Sequence, residues 1–410
     1  MHSLSLIVAY NYLHSTRQLA WRYMQIEFEG SLSMSRRFIG QWKGYSESHS
    51  FVLINIEPDI DSLFGRVSVF EQILVDGNTV SYWTWNQFEA TTNGDGFEGS
   101  LETPTLHYQN GNLMSQEDIQ VLIDKVGFEL PTKTVFKGKK TGEYELEVEW
   151  TSEYPTLESA SDKVVLRKRG PGNSEIDHSE MSWHEFKSFA LDQEDGLIFR
   201  GQARHWRLQT SFHRTGFSEL ITYLDEKLPE VERHISSISS HIYDIKDDKS
   251  LGALLNLAQH HGYPTPLLDW SKSPYVAAFF AFENEDALDP DGAISIFIFN
   301  ERKYAKIASR VANTRAPNMM VRTLELPGIG NARVLPQQAI TMYSNVDDIE
   351  DILTSNENVK GEYISAVSIP TTERKAAMRD LGLMGISWGS MFPGLDGVCK
   401  QLSVRHFKSI

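Results

Sequence analysis

The chain has 410 residues, of which 40% are hydrophobic and 23% charged, the make-up of a globular protein long enough for two domains. Its formal net charge of -16 argues against a phosphate-tracking surface over the whole protein, so nucleic acid is not an expected partner. Apolar runs all fall short of the roughly 18–20 residues of a membrane helix, and the single cysteine, Cys399, excludes an intrachain disulfide. No membrane partner and a reducing, cytoplasmic location are therefore expected.

Residues 1–36 read as an N-terminal extension. The apolar patch Met1–Ile7 lacks the basic stretch of a secretion signal. Arg17, Trp21, Arg22 and Tyr23 have partial helical spacing, and Met34 is an equally good start for the patterned region. An appended helix and an upstream segment both fit.

Residues 37–170 have the pattern of an antiparallel β domain, a barrel or a sandwich. In Tyr144–Trp150 apolar and acidic residues alternate strictly, as in a half-buried strand. Phe51–Ile56 and Val67–Phe70 are β-branched and aromatic, and turn signals recur at Asp76-Gly77-Asn78, Asn93-Gly94-Asp95-Gly96, Asn110-Gly111 and Thr141-Gly142. One helix is expected over Ser115–Val126, capped by Ser115. Trp42, Trp83, Trp85 and Trp150 could stack a ligand but fit a small core better. Glu145, Glu147 and Glu149 read as a solvated strand face.

Lys168-Arg169-Gly170-Pro171-Gly172 breaks both kinds of element and marks a domain boundary near residue 170. Residues 171–410 then read as α+β. Helices are expected over Trp183–Leu191, Ser218–Leu228 and Leu251–His261, the last capped by Ser250 and Gly262. Strands are expected at Leu197–Phe199, Ala293–Phe299 and Tyr363–Ile369, and a helix from Glu373 ending at Gly382. Tyr263-Pro264-Thr265-Pro266 is a stiff loop leading to Leu267-Leu268-Asp269-Trp270-Ser271. Ser273 and Pro274 then open a helix over Tyr275–Phe282 that is almost wholly apolar and so buried.

Arg200 stands at the end of the apolar run Leu197-Ile198-Phe199, before Gly201, where a cation beside close-approaching backbone can take an anion. Phe199-Arg200-Gly201-Gln202, Trp206-Arg207-Leu208 with Arg214, and Ala258-Gln259-His260-His261-Gly262 through Leu267-Leu268-Asp269-Trp270-Ser271 resemble the ordered blocks of the FRG domain family. So do Asn331-Ala332-Arg333 with Gln337-Gln338-Ala339, and Phe392-Pro393-Gly394-Leu395-Asp396-Gly397. The resemblance covers about residues 183–401. Pro266 stands where the family usually has arginine and Ala339 where it has glycine, and Ile340-Thr341 follow less typically.

A weaker resemblance is to arginine-type ADP-ribosyltransferases: the Arg-Gly strand end, Trp270-Ser271-Lys272-Ser273 before an Ala/Phe-rich helix, and a late strand carrying Gln337. It implies a split mixed sheet with flanking helices and a nucleotide-type pocket with NAD as substrate or ligand. Arg200, Ser271, Gln337 and Asp269 would be the catalytic set. Arg200, Gly201, Gln202, Gln259, His260 and Trp270 would be the cofactor contacts. Glutamine at 337 cannot carry charge or act as a general base, so Asp269 or Glu325 would have to supply the negative charge, or the pocket binds without turnover.

Two function classes follow. One is an enzyme transferring ADP-ribose or cleaving NAD, of the kind found among bacterial and phage conflict effectors, a toxin or antiphage protein. The other is a non-catalytic nucleotide- or protein-binding module, with the β domain recognising a target or regulator. The same residues also have structural uses: Arg200 as partner of Asp269 or Asp396, Gln259 and His260 at helix ends, Trp270 in the core. His205, His213, His260 and His261 are irregularly spaced, so no metal site is expected.

Overall fold

The computed structural model describes residues 37–58, 62–306, 314, 316–354 and 363–407. The expected extension over residues 1–36, with its helical spacing and Met34, lies outside them. The chain divides into two compact units, the first ending at Lys168 and the second beginning at Arg169.

The first unit is a barrel. Its strands are β1 (Gly40–Tyr45), β2 (Phe51–Pro58), β3 (Leu63–Val75), β4 (Asn78–Asn93), β5 (Gly96–Glu102), β6 (Thr105–Tyr108), β7 (Lys133–Gly142), β8 (Glu145–Glu153) and β9 (Ala160–Arg167). Their order is β3-β2-β1-β9-β8-β7-β5-β4-β6, and β3 also pairs with β4, which closes eight antiparallel strands and leaves β6 as an appendage of β4. The β3–β4 hairpin turns through Asp76 and Gly77, both at positive φ (51° and 79°), the backbone a tight two-residue hairpin requires.

Alternation sets the faces. Leu146 and Val148 of β8 point inward and are buried. Glu147 and Glu149 lie opposite Lys139 and Lys137 of β7, so the acidic face is matched by a basic one across the ladder. Trp42, fully buried, donates its indole N–H to the Phe38 carbonyl at 2.6 Å and belongs to the core. Helix α1 (Gln116–Val126) starts at Ser115, whose hydroxyl accepts from the Asp118 amide. It buries Leu122 with Val75, Tyr82 and Leu106.

The second unit is built on a seven-stranded mixed sheet of order β10-β16-β13-β11-β12-β15-β14. Its strands are β10 (His178–Glu180), β11 (Leu197–Gln202), β12 (Leu267–Ser271), β13 (Ala293–Asn300), β14 (Val321–Leu324), β15 (Ala339–Ser344) and β16 (Ile364–Pro370). Among the described residues only β10 and β16 pair in parallel. Whereas β11 makes six register pairs with β13, it meets β12 in one, Phe199↔Ser271.

The longer helices are α2 (Trp183–Leu191), α3 (Leu228–Ile238), α4 (Asp248–His260), α5 (Pro274–Phe282), α6 (Arg374–Leu383) and α7 (Leu395–Phe407). Phe186 of α2, Ala278 and Phe279 of α5, and Leu381 of α6 form one core with Phe199, Ile294 and Ile296. Ile198, Leu268, Trp270, Phe297 and Phe299 enter a second. Both faces of the sheet are thus covered, which is why β13 is apolar almost throughout.

Four sequence expectations are corrected. The helix expected over Ser218–Leu228 is a short turn, a π-helical turn over Tyr223–Lys227, and then α3, which carries on to Ile238 with Pro229 in its first turn. The π-helical turn just before Pro229, where the Leu228 amide reaches the Tyr223 carbonyl, is where the helix takes up the missing N–H of the proline. Helix α4 is capped by Asp247, which accepts from the Ser250 amide at 2.7 Å, instead of by Ser250. Leu267–Ser271, read as the sequel to a loop, is strand β12. Helix α6 runs past Gly382, and Gly385 takes the left-handed backbone instead (φ 81°).

Candidate functional site

Arg200 lies on β11 next to its single pairing with β12. Its Nη1 donates to the backbone carbonyl of Asp269 at 2.6 Å. Its Nε is buried without a hydrogen-bond partner. Among the described residues no ion pair joins it to a carboxylate, Asp396 included. Burial lowers its pKa to about 10; the Asp269 charge opposes that shift and the Arg214 charge adds to it. Arg200 therefore stays cationic at neutral pH, with its charge only partly balanced.

Arg214 was quoted among the blocks above but not as a site residue. Asp269 and Arg200 both feel its charge, which makes it the residue the sequence reading missed. Its place in the second block, after Trp206-Arg207-Leu208, is the signal that could have found it. It donates from Nη1 to the Gln209 carbonyl at 2.7 Å.

Most of the other expected site residues are engaged in the scaffold. A Cβ on Gly201 would stand 1.8 Å from the Ala277 carbonyl oxygen, so the close approach this glycine allows is that of helix α5. Gln202 is buried and donates to the Trp206 carbonyl at 2.6 Å. Ser271 is buried; its hydroxyl donates to the Gln337 carbonyl at 2.7 Å and accepts from the Ser273 amide at 3.0 Å.

Gln337 lies in the turn entering β15, not on a strand as expected, and its side-chain amide donates to the Met391 carbonyl at 2.8 Å. Gln259 accepts the Thr265 hydroxyl. His260 donates from Nδ1 to the Asn256 carbonyl (2.7 Å), the Asn331 side-chain amide lies 2.9 Å from the same nitrogen and donates to the Asn256 side chain, and Arg333 donates to the His260 carbonyl at 3.2 Å. Trp270 packs in the core against Phe299, its indole N–H buried and unpartnered. Asp269 is exposed. Glu325, the alternative source of negative charge, is ion-paired with Lys272.

The motif blocks thus meet in space. Asn331 and Arg333 clamp the end of α4, Arg333 lies 5.1 Å over the Phe392 ring, and Gln337 ties Ser271 to Met391. A cavity of about 410 Å³ opens beside the start of β11, lined by Gly196, Phe199, Lys272 and Glu301 among others, without Arg200. Among the described residues there is no group of three or more His, Cys, Asp or Glu that could hold a metal, and no helix long and apolar enough to cross a membrane. His213, with Nδ1 sharing a 2.7 Å hydrogen bond with the Thr210 hydroxyl, is held neutral by burial, which pushes its pKa down to about 3.

No curated protein matches the chain. Asn331-Ala332-Arg333 and Phe392–Gly397 fall beyond the stretch that a family model covers, so their likeness rests on the residues quoted above. That stretch, residues 195–289, runs from the turn before β11 past the end of α5, and the family it matches is the FRG domain.

Proposed function

We propose that the C-terminal unit is a binding module for a nucleotide-type anion, with Arg200 as the contact that takes the anionic group. The observation that carries this is the state of Arg200: a cation partly removed from water, bonded to a carbonyl instead of a carboxylate, with a buried Nε–H left over. An anion of phosphate type would satisfy that donor and the charge together. Arg214 strengthens the attraction.

The side chains of Ser271, Gln337, Gln259 and His260 hold the scaffold that presents Arg200, which favours binding over turnover. A second reading keeps one observation on its side. The exposed carboxylate of Asp269, close enough to act on Arg200, would supply the negative charge that Gln337 lacks, and the single pairing between β11 and β12 fits a split sheet of the ADP-ribosyltransferase kind. In that reading NAD is cleaved or its ADP-ribose transferred, the protein is a cytoplasmic conflict effector, and the barrel recognises its target.

Incubation with NAD separates the two. A thermal shift without free nicotinamide, lost in Arg200→Ala, is the expected result. Release of nicotinamide that Arg200→Ala abolishes would replace the module by the enzyme. Neither shift nor release would remove NAD from both readings.

A further inference from the structure

The barrel of the first unit encloses a cavity of about 510 Å³. Residues of seven of the eight barrel strands line it, at alternate positions on β2, β3, β7 and β8, so the cavity is the bore itself. One part of the bore is filled: Trp42, Ile56, Leu63 and Leu146 are fully buried. Val67, Val69, Leu101 and Trp150 pack against that core yet keep part of their surface free. Eight-stranded barrels either fill with their own side chains or hold one small ligand, and an opening of this volume belongs to the second kind.

The chemistry of the lining is one-sided. It contains four carboxylates (Glu47, Glu71, Glu102 and Asp162) and no lysine, arginine or histidine, although Glu47 is ion-paired with Lys163 outside the lining. Glu71 accepts from the Ser50 hydroxyl at 3.3 Å and the Tyr82 hydroxyl at 2.9 Å. Asp162 accepts from the Ser48 hydroxyl at 2.6 Å and the Lys163 amide at 2.8 Å. These donors are neutral, and among the described residues neither carboxylate is in an ion pair. Burial first, and then the charge of Asp162, hold the Glu71 carboxyl above its ordinary range, against the pull of its two hydroxyl donors. A cation placed between the two acids would relieve that repulsion, whereas a carboxylate or phosphate ligand would add to it.

We propose that the barrel binds a small apolar organic cation, an aryl- or alkylamine whose hydrocarbon body fills the bore beside Trp150 and whose ammonium group lies between Glu71 and Asp162. The assignment stands apart from the anion site proposed for the C-terminal unit.

Titration calorimetry of the full chain with 2-(1-naphthyl)ethylamine and with 3-(1-naphthyl)propionate, a pair matched in size and opposite in charge, tests it. The amine is expected to bind at least about tenfold more tightly, a difference of about 1.4 kcal/mol. Glu71→Gln keeps an acceptor for Ser50 and Tyr82 and should erase most of that preference, as should Asp162→Asn. Leu101→Trp should fill the bore and abolish binding of both probes, with far-UV circular dichroism reporting that the barrel is formed. Equal binding of the two probes, no binding of the amine, or an unchanged preference in both Glu71→Gln and Asp162→Asn would each overturn the proposal.

Discussion

The two units treat polar residues in opposite ways. In the C-terminal unit the conspicuous motif residues are turned into the scaffold: Ser271 to the Gln337 carbonyl, Gln337 to Met391, His260 to Asn256 and Asn331. In the barrel, Glu71 and Asp162 attracted no notice in the sequence, yet they face an open bore with neutral partners only. A residue that stands out in sequence is thus as often a structural tie as a contact. What points to a ligand is a charge that the fold leaves unmatched, and Arg200, with a buried Nε–H left without a partner, is a motif residue of that kind.

Acid should strain this contrast most. His213 is buried neutral with a pKa of about 3, against about 6.5 in the unfolded chain. The unfolded state therefore binds the extra proton between those values, and the C-terminal unit should lose stability as pH falls from about 6.5 toward 3, by roughly 4 kcal/mol in all. Urea unfolding of wild type and His213→Gln at several pH values checks this, since the variant should lack that part of the slope. Next comes Gly201→Ala, whose methyl would meet the Ala277 carbonyl; a loss of about 3 kcal/mol is expected in thermal unfolding. Were the protein to keep its stability and lose only ligand binding, Gly201 would be a contact after all.

Ser271→Ala leaves the Gln337 carbonyl and the Ser273 amide without their partner, and about 1–2 kcal/mol should be lost in urea. An unchanged midpoint would break the claim that this hydroxyl is structural. The smallest effect should come from the barrel and with the opposite sign. Glu71 has a raised pKa, so its contribution to stability is fully present below about 4.5 and is lost as pH rises through its folded value. Glu71→Gln should therefore gain on wild type from pH 4 to pH 8, modestly, because a partly exposed carboxyl is screened.

Local patterns were legible wherever one physical rule dominated. The alternation of Tyr144–Trp150 marked β8, and Ser273-Pro274 before an apolar run marked α5, because a hydroxyl cap and a first-turn proline have few other uses. Competing rules hid the rest. Pro229 reads as a breaker unless it is known to lie in a first turn, and Pro264 and Pro266 disguised β12, whose pairing with β15 is decided by partners far along the chain. Barrel closure depends on β3 meeting β4 as well as β2, and no local pattern separates that from a sandwich. At the site, Arg200 stood out as a strand-end cation. That Gln337 faces Met391 depends on a contact 54 residues away, which spacing does not encode.

The lone pairing of Phe199 with Ser271 has a mechanical meaning as well. Loads along strands are shared by the rungs between them, and here four strands on one side are joined to three on the other by a single rung. Such a sheet behaves as two stiff plates riveted at one point. The backbone rungs tie the plates at one point, and the core that spans both, with Ile198 and Phe297 on one side and Leu268 and Ile340 on the other, carries the rest of the load. Arg200 sits beside the rivet, and its hydrogen bond to the Asp269 carbonyl is a side-chain tie from one plate to the other.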